Sequence, residues 1–111
     1  MLTIDKLREF GADVDAGLTR CMNREDFYLM LVGKVLLDPR IEQLEQALLA
    51  HNLDGAFEAA HTLKGMYANL SLDPLTKPVS EMTELLRSRT NADYTDLLEE
   101  IKAQFEKLCA L

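Results

Sequence analysis

The sequence predicts an all-α protein, an antiparallel four-helix bundle preceded by one or two short helices. Apolar residues recur at helical spacing along most of the 111-residue chain, whereas no segment sustains the alternation of a half-buried strand. Short breaks with proline, glycine or polar residues separate the helical segments, and short connections favour antiparallel neighbours. We therefore expect one helical-bundle domain over residues 1–111.

The first two helices are predicted to be short. One runs from about Ile4 to Phe10, where Thr3 is a suitable N-cap and Gly11 a suitable end. Asp13 can cap a further short helix that contains Val14.

The third helix is predicted to begin after an N-cap at Asn23, with Glu25 and Asp26 in its first turn, where the helix dipole favours acids. It ends near Leu37, because Asp38-Pro39 is a strong signal for a new helix, with the aspartate as N-cap and the proline as first helical residue. The apolar face of the third helix comprises Phe27, Met30, Leu31, Val35 and Leu36. That of the fourth comprises Leu44, Leu48 and Leu49.

The last three helices follow a break at residues 51–53. Asp54 is the expected N-cap of the first of them and Asn91 of the last. Between them, Asp73-Pro74 has the form of a helix start, but Pro78 follows closely, so the helix either begins near Pro78 or is kinked there. The apolar faces of the last two helices comprise Val79, Met82, Leu85 and Leu86, and Leu97, Leu98, Ile101, Phe105 and Leu108.

Composition excludes several classes of function. The net charge of -7 argues against general nucleic-acid binding, which needs a positive field. Apolar runs such as that from Leu29 to Val32 are far too short to span a membrane, and no secretory segment is evident, so we expect a cytoplasmic protein. Cys21 and Cys109 lack metal-site spacing and form either a disulfide or, as a reducing cytosol favours, two free thiols.

The most informative segment surrounds His61 in the fifth predicted helix. Gly65 lies inside this helix, where a glycine costs about 1 kcal/mol relative to alanine. Successive side chains turn by about 100°, so an apolar stripe falls opposite His61 and the imidazole points to solvent. That stripe comprises Ala59, Leu63, Met66 and Leu70, flanked by Ala56 and Tyr67. The face that His61 shares comprises Phe57, Lys64, Gly65 and Ala68.

This face suits phosphoryl chemistry. A neutral imidazole is a good nucleophile near neutral pH, and a cation stabilises the charge that spreads over a phosphoryl group during transfer. Lys64 supplies such a cation one turn from His61, and Gly65 leaves space for an incoming group. Exposed histidine–lysine pairs are common on helices, but the small Gly65 and Ala68 and the apolar Phe57 favour close approach by another molecule.

The segment Ala60-His61-Thr62-Leu63-Lys64-Gly65, followed by Ala68-Asn69-Leu70, resembles the core pattern of histidine-containing phosphotransfer (HPt) domains of multistep phosphorelays. The similarity extends from about Gly17 to Arg87. It implies that His61 accepts a phosphoryl group through Nε2, that Lys64 stabilises this group and that Gly65 provides access. One residue departs from the pattern: Ser71 stands where the family usually has a second glycine.

The resemblance also implies a function and partners. The domain would carry a phosphoryl group to or from aspartates of response-regulator receiver domains in two-component signalling, without kinase activity of its own. A hybrid sensor histidine kinase is a further expected partner. No cofactor is expected, since the receiver would supply Mg²⁺. Phe57 and Ala68 would contact the receiver, and we expect a monomer that binds neither nucleic acid nor membrane.

Two other classes of function compete with this interpretation. A bundle that only binds partner proteins could use the same face, but binding alone does not require a nucleophile such as His61. A metal-binding or small-molecule-binding bundle ranks last, because the chain lacks an inward-facing Glu-x-x-His pattern. His51 has no neighbouring cation or glycine and is expected to be an ordinary loop residue. Arg20 and Arg24 are expected at a helix end or in solvent, with the docking surface as the alternative.

Overall fold

The structure, a computed structural model, describes residues 2–111. Within this range the chain is helical and contains no strand. The helices are α1 (Ile4–Phe10), α2 (Val14–Arg20), α3 (Glu25–Leu36), α4 (Arg40–Leu49), α5 (Leu53–Asn69), α6 (Asp73–Arg87) and α7 (Thr95–Cys109). Helices α4 to α7 pack against one another in chain order. The predicted all-α helical bundle is confirmed.

Helix α1 has both predicted ends, and α2 has the predicted N-cap. The Thr3 hydroxyl accepts a hydrogen bond from the Lys6 backbone N–H over 3.2 Å. Gly11 ends α1 with a φ of 110°, a left-handed conformation that favours glycine. The Asp13 carboxylate caps α2 by accepting from the Ala16 backbone N–H.

Four predicted N-caps, Asn23, Asp38, Asp54 and Asn91, are wrong by one to three residues. Asn23 has a φ of 58° and donates its backbone N–H to the Leu18 carbonyl over 2.7 Å, so it belongs to the turn after α2 and Arg24 becomes the N-cap of α3. Asparagine suits both left-handed turns and N-caps, and its neighbours in sequence do not distinguish the two.

The caps of α5 and α7 differ from the predictions for a related reason. Asn52, not Asp54, caps α5 by accepting a hydrogen bond from the Gly55 N–H over 3.0 Å. The N-cap position of α7 is Tyr94 rather than Asn91, and no side chain caps it; Asp93 accepts from the Thr95 N–H over 2.9 Å. Each segment contains several residues able to cap, so the local sequence does not fix where the following helix begins.

Two helix starts contain proline. Asp38 accepts a hydrogen bond from the Arg40 N–H over 2.9 Å, but the helix begins at Arg40, one residue later than predicted. Helix α6 begins at Asp73 and continues through Pro78, so the predicted alternative of a start near Pro78 is wrong. The Pro78 ring is buried and adds to the core.

The core is one cluster to which all seven helices contribute. The prediction that Leu49 and Met30 lie on the buried faces of their helices is wrong. Leu49 is 70% exposed and Met30 is 47% exposed. Leu49 lies five residues after the buried Leu44, which turns it about 140° away around the helix. In α3 the buried face turns toward Tyr28, Val32 and Val35.

Helix α2 holds the C-terminal end of α5. The Arg20 guanidinium donates to the carbonyls of Ala68 over 3.2 Å and Asn69 over 3.4 Å, and to the Ser71 hydroxyl over 2.6 Å. The helix-end role expected for Arg20 is therefore confirmed. Arg24 is exposed and pairs with Asp26 over 3.1 Å.

No helix formed by residues 2–111 is long and apolar enough to cross a membrane. Cys21 is buried and Cys109 is exposed, and both are free thiols.

Candidate functional site

Helix α5 presents His61 to solvent. The helix lies against α4 on one side and α6 on the other. Its buried residues are Ala56, Ala59, Ala60, Leu63 and Tyr67. His61 is exposed, as predicted, and within residues 2–111 its ring nitrogens have no hydrogen-bond partner. The imidazole is thus free to react with a group from outside the chain.

The aromatic ring of Phe57 stacks on the His61 ring. The two ring centroids are 5.6 Å apart and the planes differ by 15°. Phe57 precedes His61 by four residues, a spacing that places the two side chains on the same face of α5. Its ring is half-buried rather than fully exposed on the solvent face.

Arg87, the last residue of α6, and Arg89, two residues after it, lie over the same Phe57 ring. The guanidinium carbons of Arg87 and Arg89 are 5.1 Å and 5.8 Å from the ring centroid. These distances are within the range of cation–π attraction. Both guanidinium groups therefore lie against the ring that stacks on His61.

Carboxylates hold both arginines. The Arg87 Nε donates to Glu84 over 2.9 Å, and Arg89 forms an ion pair with Asp54 in the first turn of α5. Arg89 also donates to the Leu86 carbonyl over 2.8 Å. The hydrogen bond and charge of Arg87 hold the pKa of the Glu84 carboxyl below its ordinary value, and the charges on Lys64 and His61 lower it further.

Lys64 and Gly65 lie one turn beyond His61. Lys64 is half-buried, and no ion pair is found for it in the described part of the chain. A Cβ built on Gly65 would meet no atom within 4 Å, so the packing of this chain does not require a glycine there. Ala68 is exposed and its carbonyl accepts from Arg20.

The α6 residues of this site were missed by sequence reasoning. A signal for them exists in the loop between α5 and α6, which is only residues 70–72. In an antiparallel helix pair, residues at equal distances from the loop lie side by side, since both helices rise by about 1.5 Å per residue. Counting from Ser71 pairs Phe57 with Leu85, between Glu84 and Arg87, and pairs Asp54 with Ser88, next to Arg89.

The structure does not join His51 to this site. His51 lies in the loop before α5, and the helix from its start at Leu53 to His61 alone rises by about 12 Å. Across residues 2–111, no group of three or more histidine, cysteine, aspartate or glutamate side chains could hold a metal ion.

A comparison with protein-family models places the site in a family. The model of the Hpt domain matches residues 35–111, from the end of α3 through α7, and the match includes His61. The sequence resemblance from Gly17 to Arg87 thus began too early and ended too soon. Neither a search of curated proteins nor a search of solved structures found a match. Because the family model matches more than two thirds of the chain, this protein belongs to the Hpt domain family, whose members take part in phosphotransfer in two-component signalling.

Proposed function

We propose that the chain is a phosphohistidine carrier that exchanges a phosphoryl group with the active-site aspartate of a response-regulator receiver domain, with His61 as the acceptor. The observation that carries this proposal is the exposed His61 imidazole, which has open space over Gly65 and Lys64 one turn away on the same helix. A partner active site can reach such a group without rearrangement of the bundle.

The reaction needs little from the carrier. The lone pair on His61 Nε2 attacks the phosphorus of an aspartyl phosphate, while the proton of the neutral imidazole stays on Nδ1. The new N–P bond forms as the P–O bond to the aspartate breaks, and the aspartate leaves as a carboxylate with the bonding electrons. Transfer in the other direction reverses each step.

Positive charge near His61 stabilises the phosphoryl group. Catalysis of phosphoryl transfer consists mainly of positioning and of neutralising charge on the equatorial oxygens. Lys64 serves this purpose one turn away, and no ion pair is found for it among residues 2–111. The receiver supplies the Mg²⁺, so the carrier needs no cofactor of its own. The carrier has no kinase activity.

The docking surface surrounds His61. Phe57, Gly65 and Ala68 share its face of α5 and contact the receiver, with the small residues leaving room for the partner's loops. A hybrid sensor histidine kinase is a second partner, since a carrier in a relay needs a source of phosphoryl groups. The carrier acts as a cytoplasmic monomer.

The decisive experiment mixes the protein with a panel of receiver domains that carry labelled phosphate. We expect the wild-type protein to take up label that is lost in acid and stable in base, as phosphohistidine is. His61→Gln should take up none. His51→Asn is the matched control: asparagine tolerates the left-handed φ of 55° at that position, and labelling should be unchanged.

Two outcomes would contradict the proposal. Labelling of His61→Gln at the wild-type rate would exclude His61 as the acceptor. Stable binding of receivers by the wild-type protein without any transfer of label would instead support a module that only binds partner proteins.

A further inference from the structure

The ring of Phe57 connects His61 to the end of α6. One neighbour of this ring is the imidazole, stacked with a centroid separation of 5.6 Å. Two others are the guanidinium groups of Arg87 and Arg89. No part of the proposed transfer chemistry requires an aromatic ring at this position, so the contact calls for an explanation of its own.

Stacking restricts the imidazole without blocking it. An exposed side chain on a helix exchanges rapidly between rotamers. A ring that lies within 15° of parallel to the imidazole favours the rotamer in which the two faces meet. The nitrogens lie on the edge of the imidazole, so a covered face leaves them open to a phosphoryl donor.

The arginines in turn hold Phe57. Arg89 is tied at two points, to the Asp54 carboxylate and to the Leu86 carbonyl. Asp54 lies three residues before Phe57 on the same face of α5, so the ion pair clamps the end of α6 against the first turns of that helix. The Arg89 guanidinium is thereby kept over the ring.

We propose that Phe57 is a positioning residue for phosphoryl transfer at His61, and that Arg89, tethered to Asp54, holds the Phe57 ring in place. The inference rests on the proposed function of His61 and adds an effect on rate that does not depend on docking. In this arrangement Phe57 and Arg89 orient the His61 imidazole, whereas Lys64 stabilises the phosphoryl group.

A small phosphoryl donor tests this role, because it makes no docking contact with Phe57. With phosphoramidate as donor, we expect Phe57→Leu to label His61 about 2- to 10-fold more slowly than the wild type, the range that corresponds to an aromatic pair. Phe57→Tyr keeps the aromatic ring and should label His61 at the wild-type rate. Phe27→Leu is the matched control, since Phe27 is also half-buried under an arginine, with Arg24 at 5.9 Å, but lies on α3.

A double-mutant cycle tests whether Arg89 acts through Phe57. Arg89→Gln should slow labelling by phosphoramidate in the wild-type background and cause no further loss in the Phe57→Leu background. If Arg89→Gln slows the reaction equally in both backgrounds, Arg89 acts independently of the ring and the proposed tether is wrong.

NMR of the His61 ring protons gives a readout without phosphoryl transfer. Phe57→Leu should shift these signals by removing the ring current, whereas Phe27→Leu should leave them in place. Unchanged signals and an unchanged labelling rate in Phe57→Leu would overturn the positioning role. Absence of label on His61 in the wild-type protein would instead contradict the proposed function itself, and the role in transfer with it.

Discussion

Gly65 is a residue whose missing side chain the fold does not explain. A Cβ at this position would enter open space, and the helix loses about 1 kcal/mol by having glycine in its interior. The same is true of Gly33 in α3. The two glycines therefore form a natural pair, of which only Gly65 lies beside His61.

Substitution of Gly65 should separate stability from function. We expect Gly65→Ala to raise the free energy of unfolding by about 0.5–1 kcal/mol, measured by urea denaturation, because alanine favours the helix. It should also slow transfer from a phosphorylated receiver, and Gly65→Glu should abolish transfer while the helical circular dichroism stays intact. Gly33→Ala should give the same gain in stability with unchanged transfer. Wild-type transfer by Gly65→Glu would remove Gly65 from the site.

Ser71 shows why a glycine is expected at its position. Its φ is 55°, in the left-handed region that costs a residue with a Cβ about 1–2 kcal/mol. The serine hydroxyl offsets this cost by accepting a hydrogen bond from Arg20 over 2.6 Å. Ser71 therefore keeps the left-handed turn and adds a hydrogen bond to Arg20 of α2.

At the scale of helices, α2 is fitted tightly between α3 and the end of α5. Gly17 is buried, and a Cβ there would lie 2.5 Å from Tyr28 Cε1 and 2.9 Å from the Leu70 carbonyl oxygen. The Tyr28 hydroxyl donates to that same oxygen over 2.8 Å. Neither neighbour can move freely, because one is a buried ring and the other is backbone.

Gly17→Ala should therefore destabilise the protein, although alanine is the better helix former. We expect the free energy of unfolding to fall by about 1–3 kcal/mol in urea denaturation, the usual cost of overpacking a core. The contrast with Gly33→Ala is the control, since that position is open and should gain stability. A gain in stability for Gly17→Ala would show that α2 can withdraw from α3 without cost.

At the scale of the whole molecule, the N-terminal helices belong to the same core as the rest. Most of α1 to α3 lies outside the family match. Leu7, Val14, Tyr28 and Val32 from this part are nevertheless fully buried in the common cluster. Lys6 donates to the Leu111 carbonyl over 2.9 Å, which joins α1 to residues after α7.

The buried tyrosines make stability sensitive to alkaline pH. Burial raises the pKa of Tyr28 from 10.0 to about 12, and burial also raises the pKa of Tyr67. Above pH 10 the unfolded chain loses these protons while the folded chain keeps them, so ionisation favours unfolding. We expect the free energy of unfolding to fall between about pH 10 and pH 12, measured by urea denaturation at each pH.

Tyr28→Phe distinguishes this titration from general alkaline damage. The variant loses the hydrogen bond to Leu70 and should be less stable at neutral pH. Its stability should nonetheless decline less steeply above pH 10. An equal slope in both proteins would show that Tyr28 does not contribute to the alkaline transition.

Patterns that act over a few residues were predictable from the sequence alone. These include the helical class, the ends of α1, the N-cap of α2, and the exposure of His61 opposite an apolar face. Helical periodicity carries this information because it depends on a fixed rotation per residue. The predicted N-caps at Asn23, Asp38, Asp54 and Asn91 were wrong, because neighbouring residues in each turn are also compatible with a helix start.

The sequence by itself determined that His61 shares an exposed helix face with Lys64 and Gly65, since a single helix sets that arrangement. Only the tertiary structure decided what surrounds that face from outside α5. Arg87 and Arg89 follow His61 by more than twenty residues, and only the packing of α6 against α5 brings their charges to the Phe57 ring. The short loop at residues 70–72 indicates which turns of α5 and α6 are neighbours, but packing of side chains from the whole core decides which of them meet the ring.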